Sequence, residues 1–295
     1  MKRFILCTLL IMFASLAFSQ TANIRKEING IVNGKKAIIG IALYKCNNDG
    51  MLNFNGNKHF PMQSVFKFPI VLKVLNDVDK GKMNLSDSIF ISNKDLRPNT
   101  WSPIRNKYPN GNIRMALSDI IRYTISQSDN NGCDILLQLA GGTAVVNNYI
   151  HSLGIKNMNI EKTEAEQQKS YNAQFKNWTT PISAIHLLQL FNNKKVLKQY
   201  TYNFLWATMT ETSTGSIKNK IPQSITVAHK TGSAFYPHNF VTNDIGIMSL
   251  PHKQTVLYAI FIMNSKESKE TNYEIIADIA QIIYKYYCFQ AKRPK

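Results

Sequence analysis

Pro61-Met62-Gln63-Ser64-Val65-Phe66-Lys67 sets a serine hydroxyl and a lysine amine three residues apart, just ahead of an apolar run. Val71, Leu72, Leu75 and Val78 continue at helical spacing and Gly81 ends the run, which predicts a helix starting near the serine. On a helix, positions i and i+3 share a face. A serine hydroxyl is a weak nucleophile until a base adjoins it, and an amine whose charge is disfavoured by its surroundings can be that base. A helix start also turns unpaired N–H groups toward the site, which favours developing negative charge. Pro69 lacks an N–H and predicts an irregular first turn, tolerable where a serine must be exposed. Alone the spacing carries little weight. About one S-x-x-K is expected by chance in a chain of this length, and an ordinary helix start accounts for it.

Outward from this stretch the patterning changes twice. Ala37 to Tyr44 is apolar and rich in Ile. With the turn Asn47-Asn48-Asp49-Gly50 and a second strand over Met51–Asn57 it predicts a hairpin. Residues 84–209 read as helices and loops, with helical periodicity over Met115–Ser126, Asp134–Leu139, Val145–Leu153 and Pro181–Phe191. Between them Asn159–Thr180 is polar and aperiodic, and a long loop inside a domain is usually functional. Beyond Thr210, Ser224–Ser233, Asp244–Leu250 and Thr255–Asn264 are short β-branched segments, with Pro251-His252-Lys253 as a turn, and predict an antiparallel meander. Ile275, Ile276, Ile279, Ile282, Ile283 and Tyr286 form the apolar stripe of a last helix. The economical fold is α+β: one antiparallel sheet of about five strands built from both chain ends and flanked by terminal helices, with an all-helical subdomain inserted. The expected division is 20–62 plus 210–295 for the sheet part and 63–209 for the helical part, with the active site at their interface.

The chain has 295 residues and a formal net charge of +17. Lys2 and Arg3, the apolar run Phe4 to Phe18 and the small-x-small Ala17-Phe18-Ser19 predict a signal peptide over residues 1–19, cut between Ser19 and Gln20. That run is short for a bilayer span and no later run is longer, so an exported, periplasmic protein without a membrane span is expected. The lysines are scattered, without the dense basic run of a nucleic-acid binder, so no nucleic-acid partner is expected. Cys46, Cys133 and Cys288 fit neither a zinc pattern nor a disulfide framework and read as partly or wholly buried thiols. The six histidines show no H-x-H or H-E-x-x-H pairing, so no metal and no other cofactor is expected.

Two further motifs give the serine its meaning. Ser128-Asp129-Asn130 closes the Met115 helix, and Lys230-Thr231-Gly232 sits on a predicted strand. Each tripeptide is expected in about 5% of chains this size. Together, in order, with S-x-x-K they are the signature of class A β-lactamases and penicillin-binding proteins. From about residue 24 to 290 the chain resembles a class A serine β-lactamase. Phe60 to Phe68, Trp101-Ser102-Pro103 and Asn177-Trp178-Thr179 resemble the PER/VEB/CfxA-type branch, which contains many extended-spectrum cephalosporinases.

The resemblance implies a serine β-lactamase/transpeptidase-like fold and a set of roles. Ser64 would open the lactam and become acylated, with Lys67 in the base and proton-relay network. Ser128, helped by Lys230, would pass a proton to the lactam nitrogen. Asn130 would bond the substrate's side-chain amide. Thr231 and Ser233 would contact its carboxylate, with Gly232 lining the same strand. The N–H groups of Ser64 and Ser233 would form the oxyanion hole. Deacylation would need a glutamate from the polar loop, where Glu161, Glu164 and Glu166 are candidates; order and spacing favour Glu164, with Glu166 next. Gln168 stands where an asparagine usually helps hold the hydrolytic water. Trp101 would line the mouth. The implied partners are cephalosporins and penicillins as substrates, with mechanism-based β-lactamase inhibitors, acting on a monomer.

Departures from the family pattern carry expectations too. Lys162 and Asn177 replace an arginine–aspartate pair at the loop neck, which predicts a looser loop and a wider site suited to bulky cephalosporins. Gln63 replaces the cysteine of class A carbapenemases. The arginine many members use for the substrate carboxylate is missing near Asn243-Asp244, with Lys218 as a candidate replacement. Two other readings compete: a penicillin-binding D,D-peptidase or β-lactam sensor that acylates and deacylates slowly, and a non-enzymatic basic protein binding the cell envelope.

Overall fold

A computed structural model describes residues 22–46, 50–236 and 239–289. The leader and its cleavage point, and turn residues 47–49, lie outside the described residues. A helix over 22–32 (α1) leads into strands β1 (Ile38–Lys45), β2 (Met51–Phe54) and the short β3 (Phe60–Pro61). A 3-10 turn, Gln63–Phe66, then runs straight into α2 (Lys67–Asp79). Next come β4 (Ser88–Ile91), α3 (Pro103–Lys107), β5 (Ile113–Ala116), α4 (Leu117–Ser126), α5 (Asn130–Leu139), α6 (Thr143–Ser152), β6 (Met158–Asn159), α7 (Glu164–Gln167), β7 (Trp178–Thr179), α8 (Pro181–Asn192) and α9 (Gln199–Thr210). The chain closes with β8 (Thr226–Tyr236), β9 (Asn239–Leu250), β10 (Gln254–Ser265) and α10 (Lys269–Phe289).

Five strands from the two chain ends form one antiparallel sheet, ordered β2-β1-β10-β9-β8. The central strand shows why its sequence reads as an unbroken apolar run. In β10 the side chains of Val256, Tyr258, Ile260 and Ile262 join a core with Ile24, Ile28, Ile275, Ile279 and Ile283 of α1 and α10. The alternate residues Leu257, Ala259, Phe261 and Met263 join a second core with the helical part, including Phe60, Phe66, Leu72, Ile121 and Leu188. Successive strand residues point to opposite faces, so a strand covered on both sides must be apolar throughout. The fold is α+β, as the patterning predicts.

Several boundaries differ from expectation. β2 stops at Phe54 because Asn55 takes a left-handed φ of 49°. α5 begins at Asn130, four residues before the periodic run, because the Asp129 carboxylate accepts Gly132 N at 2.8 Å and caps it. β8 and β9 run further toward each other than their apolar stretches indicate, pairing from Thr226↔Ser249 to Tyr236↔Asn239. The helical part also carries two small ladders, β3-β7-β6 and β4-β5, and the helix α9, none of which the periodicity singled out. Pro69 falls in the first turn of α2, where an N–H has no intrahelical acceptor in any case.

Candidate active site

Ser64 stands on the 3-10 turn at the head of α2, pressed against the edge of the sheet. Gln63, just before it, holds φ at 48°, and its side-chain amide donates to Gln174 Oε1 in the loop after α7. Gly232 on β8 is the facing residue. A Cβ there would lie 2.5 Å from the Met62 carbonyl oxygen and 3.0 Å from Ser64 N, so only glycine lets the strand come this close. The approach sets the N–H groups of Ser64 and Ser233 at one end of a cleft of about 440 Å³. Such a volume suits a small-molecule ligand.

Lys67 lies one turn along, wholly buried. Its Nζ donates to Ser64 Oγ at 2.9 Å, Ser128 O at 2.8 Å and Asn130 Oδ1 at 2.6 Å, and pairs with Glu164 Oε1 at 2.8 Å. A buried ammonium is tolerable only when paired and hydrogen-bonded, and this one is both. Lys230 supplies the second buried amine, donating to Ser128 Oγ at 3.0 Å and to Thr231 O at 2.9 Å. Burial first, and then the neighbouring charge of Lys67, push its pKa well below the ordinary lysine value against the opposing pull of Glu164 and Asp244. The Ser128 hydroxyl therefore sits between two amines, 3.4 Å from Lys67 Nζ. Ser128 itself has φ 60°, a left-handed conformation that turns the hydroxyl into the cleft. Asp129 fixes that turn from below, accepting from Ser102 Oγ, Ile104 N and Gly132 N; burial raises its pKa against those bonds.

The three loop glutamates separate by geometry. Glu164 is the first residue of α7 and meets Lys67. Glu166 turns back on the helix start: its carboxylate accepts Thr163 N at 2.9 Å while Thr163 Oγ1 accepts Glu166 N at 3.1 Å, a capping box that lowers the Glu166 pKa. Glu161 pairs with Lys162 at the surface. Lys162 and Asn177 form no ion pair, yet the neck is not left loose. Asn177 is buried, accepts the N–H groups of Glu161 and Lys162 at 2.8 Å each, and donates to Lys162 O at 2.7 Å. A neutral amide that makes three bonds holds the neck without a charge pair, so the expected loosening is not seen there.

Trp101 and Phe235 both line the cleft and are 59% and 43% exposed. Trp101 is held by its indole N–H on Gln127 O at 2.8 Å. Asn130, Thr231, Gly232 and Ser233 line the cleft, while Lys67, Glu164 and Lys230 lie buried and are not among its lining residues. Gln168 does not reach the wall: it is exposed and donates to Thr100 Oγ1, which also accepts Asn130 Nδ2 at 2.8 Å. Lys218 also misses the cleft, because its amine is spent on the carbonyls of Thr210 and Thr212.

Other contributors went unread in the sequence. Asp134 accepts Glu164 N at 2.7 Å and Ala165 N at 3.0 Å and pairs with Arg97, pinning the start of α7. Asp244 lines the inner cleft, with both carboxylate oxygens 3.1 Å from His229 Nδ1 and one accepting Tyr258 OH at 3.0 Å. Asn243 holds the backbone before the serine. The available signal was polar residues inside an apolar strand, where burial demands a partner. Among the described residues no cluster of His, Cys, Asp or Glu could hold a metal ion, and Cys46, Cys133 and Cys288 are free thiols.

A buried amine bridging a serine and a carboxylate, beside two N–H groups at a glycine-tight turn, can activate a hydroxyl against a carbonyl and hold the resulting oxyanion. The family model described as the beta-lactamase enzyme family matches residues 23–287. The chain belongs to that family. Beta-lactamase VEB-1 of Pseudomonas aeruginosa is 41% identical over 291 residues, covering 96% of this chain and 97% of the relative. Extended-spectrum beta-lactamase PER-1 of the same organism is 36% identical over 283 residues, covering 94% and 92%. The crystal structure of TLA-3 extended-spectrum beta-lactamase superposes with a TM-score of 0.89 at 41% identity, covering 90% of this chain and 99% of that one. The protein is thus a hydrolase, a class A β-lactamase of the PER/VEB type. Among the described residues no helix is long and apolar enough to cross a membrane.

Proposed function

We propose that this β-lactamase opens the lactam amide through an acyl-enzyme on Ser64, favours cephalosporins, and protects its host from them after export to the periplasm by the leader at residues 1–19. The observation that carries the reading is the buried Lys67 amine, 2.9 Å from Ser64 Oγ and 2.8 Å from Glu164 Oε1. The lactam carbonyl enters between Ser64 N and Ser233 N. Ser64 Oγ adds to it as its proton passes into the Lys67–Glu164 network. The carbon–nitrogen bond then breaks and the leaving nitrogen takes the Ser128 proton, which Lys230 and Lys67 can replace. In the second half, Glu164 removes a proton from water, the hydroxide equivalent adds to the ester, and Ser64 leaves with its proton restored. One oxyanion donor is typically worth about 3–4 kcal/mol of barrier. Thr231 and Ser233 receive the substrate carboxylate, and Asn130 is at hand for the side-chain amide. The exposed aromatic side chains Trp101 and Phe235 suit a substrate with a flat, bulky side chain, and the extended-spectrum relatives favour the same choice. Mechanism-based inhibitors would acylate the same serine.

The test is hydrolysis of a chromogenic cephalosporin by the protein beside Glu164→Gln, with intact mass followed in time. Turnover by the parent and an acyl-enzyme trapped on the variant are expected. A parent that labels once and stalls would make the protein a penicillin-binding peptidase or sensor. A variant as active as the parent would take the base role away from Glu164.

A further inference from the structure

Asn243 is a side chain that the β-lactam reading leaves without a role, although it lines the cleft and is 2% exposed. It sits on β9 directly opposite Gly232 of β8 on one side and Phe261 of β10 on the other. Cross-strand partners share a face, so a side chain on residue 232 would cover the Asn243 amide. Gly232 has none. The backbone of Met62 to Val65 comes up against the glycine instead, and the Asn243 amide donates from one nitrogen to Pro61 O at 2.8 Å and Met62 O at 3.1 Å. Its oxygen accepts Ile262 N from β10 at 3.3 Å.

The two carbonyls it grips belong to the peptides that lead directly into the one carrying Ser64 N. The Met62 N–H donates to Asn177 O at 2.8 Å, and Met62 O also accepts Val65 N at 3.1 Å, the bond that closes the 3-10 turn around Ser64. Between them lies Gln63, held at φ 48°, a conformation that side chains resist. Asn243 thus ties the residues before a strained turn to the strand beside Ser233. Both N–H groups of the oxyanion hole hang from this tie, one on each side.

We infer that Asn243 is a positioning residue, a clamp that sets the spacing of the Ser64 and Ser233 N–H groups and so the strength of the oxyanion hole. The inference rests on the acyl-enzyme reading above. It places part of the catalytic geometry on a strand that touches no reacting atom.

The experiment is made in the Glu164→Gln background, where acyl-enzyme accumulates. Asn243→Ser keeps a smaller donor, and Asn243→Asp keeps the shape but exchanges the donor for an acceptor. Two quantities are read: the acylation rate constant, and the ester carbonyl stretching frequency of the acyl-enzyme by isotope-edited infrared spectroscopy. Loss of the clamp should slow acylation about 10- to 100-fold at little change in substrate affinity, the scale of a misplaced catalytic group. It should also move the carbonyl band to higher frequency as polarisation weakens. Thr201→Val is the comparison. It removes a buried bond from Thr201 to Asp79, remote from the cleft, and should lower the melting temperature without moving the carbonyl band. Where Asn243→Asp is too damaging to fold, Asn243→Ser decides alone. Variants that lose stability as Thr201→Val does, with acylation and carbonyl band unchanged, overturn the clamp and leave the acyl-enzyme reading intact. A parent never labelled at Ser64 overturns that reading, and the clamp's function with it.

Discussion

Lys230 carries the strongest electrostatic statement in the site, because its amine is buried beside a second buried lysine. Its lowered pKa has a definite consequence for pH. Between the folded value and the ordinary lysine value near about 10.4, the unfolded chain holds a proton that the folded chain does not. Stability from this group therefore rises with pH across that window, and the cost of the buried charge is fully present below it. Activity moves the opposite way if the ammonium is needed beside Ser128: kcat/KM should fall on the alkaline side earlier than a free lysine would dictate. Lys230→Arg keeps a charge that does not titrate, so its alkaline limb should move up or vanish even if the maximal rate drops about 10-fold through altered geometry. A pH–rate profile for the two proteins checks this. An alkaline limb identical in both would assign the ionisation to another group.

On the proposed mechanism hydrolysis depends on the loop from β6 to β7, and Asp134 of α5 holds the start of its helix α7. With Asp134→Ala, the N–H groups of Glu164 and Ala165 and the Arg97 guanidinium all lose their acceptor. Bonds to a charged group are worth about 1.5–3 kcal/mol each. We expect α7 to loosen, Glu164 to drift from Lys67, and deacylation to slow about 10- to 100-fold, more than acylation, which draws on the Lys67–Glu164 pair but keeps Lys67 beside Ser64. Mass spectrometry during turnover would then show standing acyl-enzyme; equal loss in both steps would mean that Asp134 acts on the whole site. The same element marks where sequence reading stops. Ser64, Lys67, Ser128 and Lys230 were legible because short motifs fix them, and β10 and α10 because their periods run for several turns. Asp134 was illegible because its partners are backbone groups thirty residues away in a loop without periodicity. α9 was missed for a local reason. Gln199–Thr210 is rich in aromatic and β-branched residues and starts without a side-chain cap, so it owes its helix to the burial of Leu205 and Met209. Ladders of two to four residues are too short to show a period. The partners of Lys218 and Gln168, the carbonyls of Thr210 and Thr212 and the Thr100 hydroxyl, were illegible because a position in the chain gives no side-chain direction.

At the scale of the whole molecule the site is a seam. Ser64, Lys67, Ser128 and Glu164 come from the helices and loops between the sheet strands, Lys230 to Ser233 and Asn243 from the sheet, and one core spans the seam behind them, joining Leu257 and Phe261 to Leu72 and Leu188. A ligand bridging the seam must therefore stabilise both sides at once. A boronic acid that adds to Ser64 Oγ and places an oxygen between the Ser64 and Ser233 N–H groups mimics the tetrahedral adduct and tests this. At about 100 times its Kd it should add about 2.7 kcal/mol. For a protein of this size that corresponds to a rise in Tm of about 4–5 °C. If the two parts unfold as one unit through the Asn243 and Gly232 contacts, calorimetry should show one transition moving as a whole. Two transitions of which only one moves would mean that the parts are held together less by those contacts than by the ligand. Ser64→Gly, which cannot form the adduct, should abolish the shift in either case.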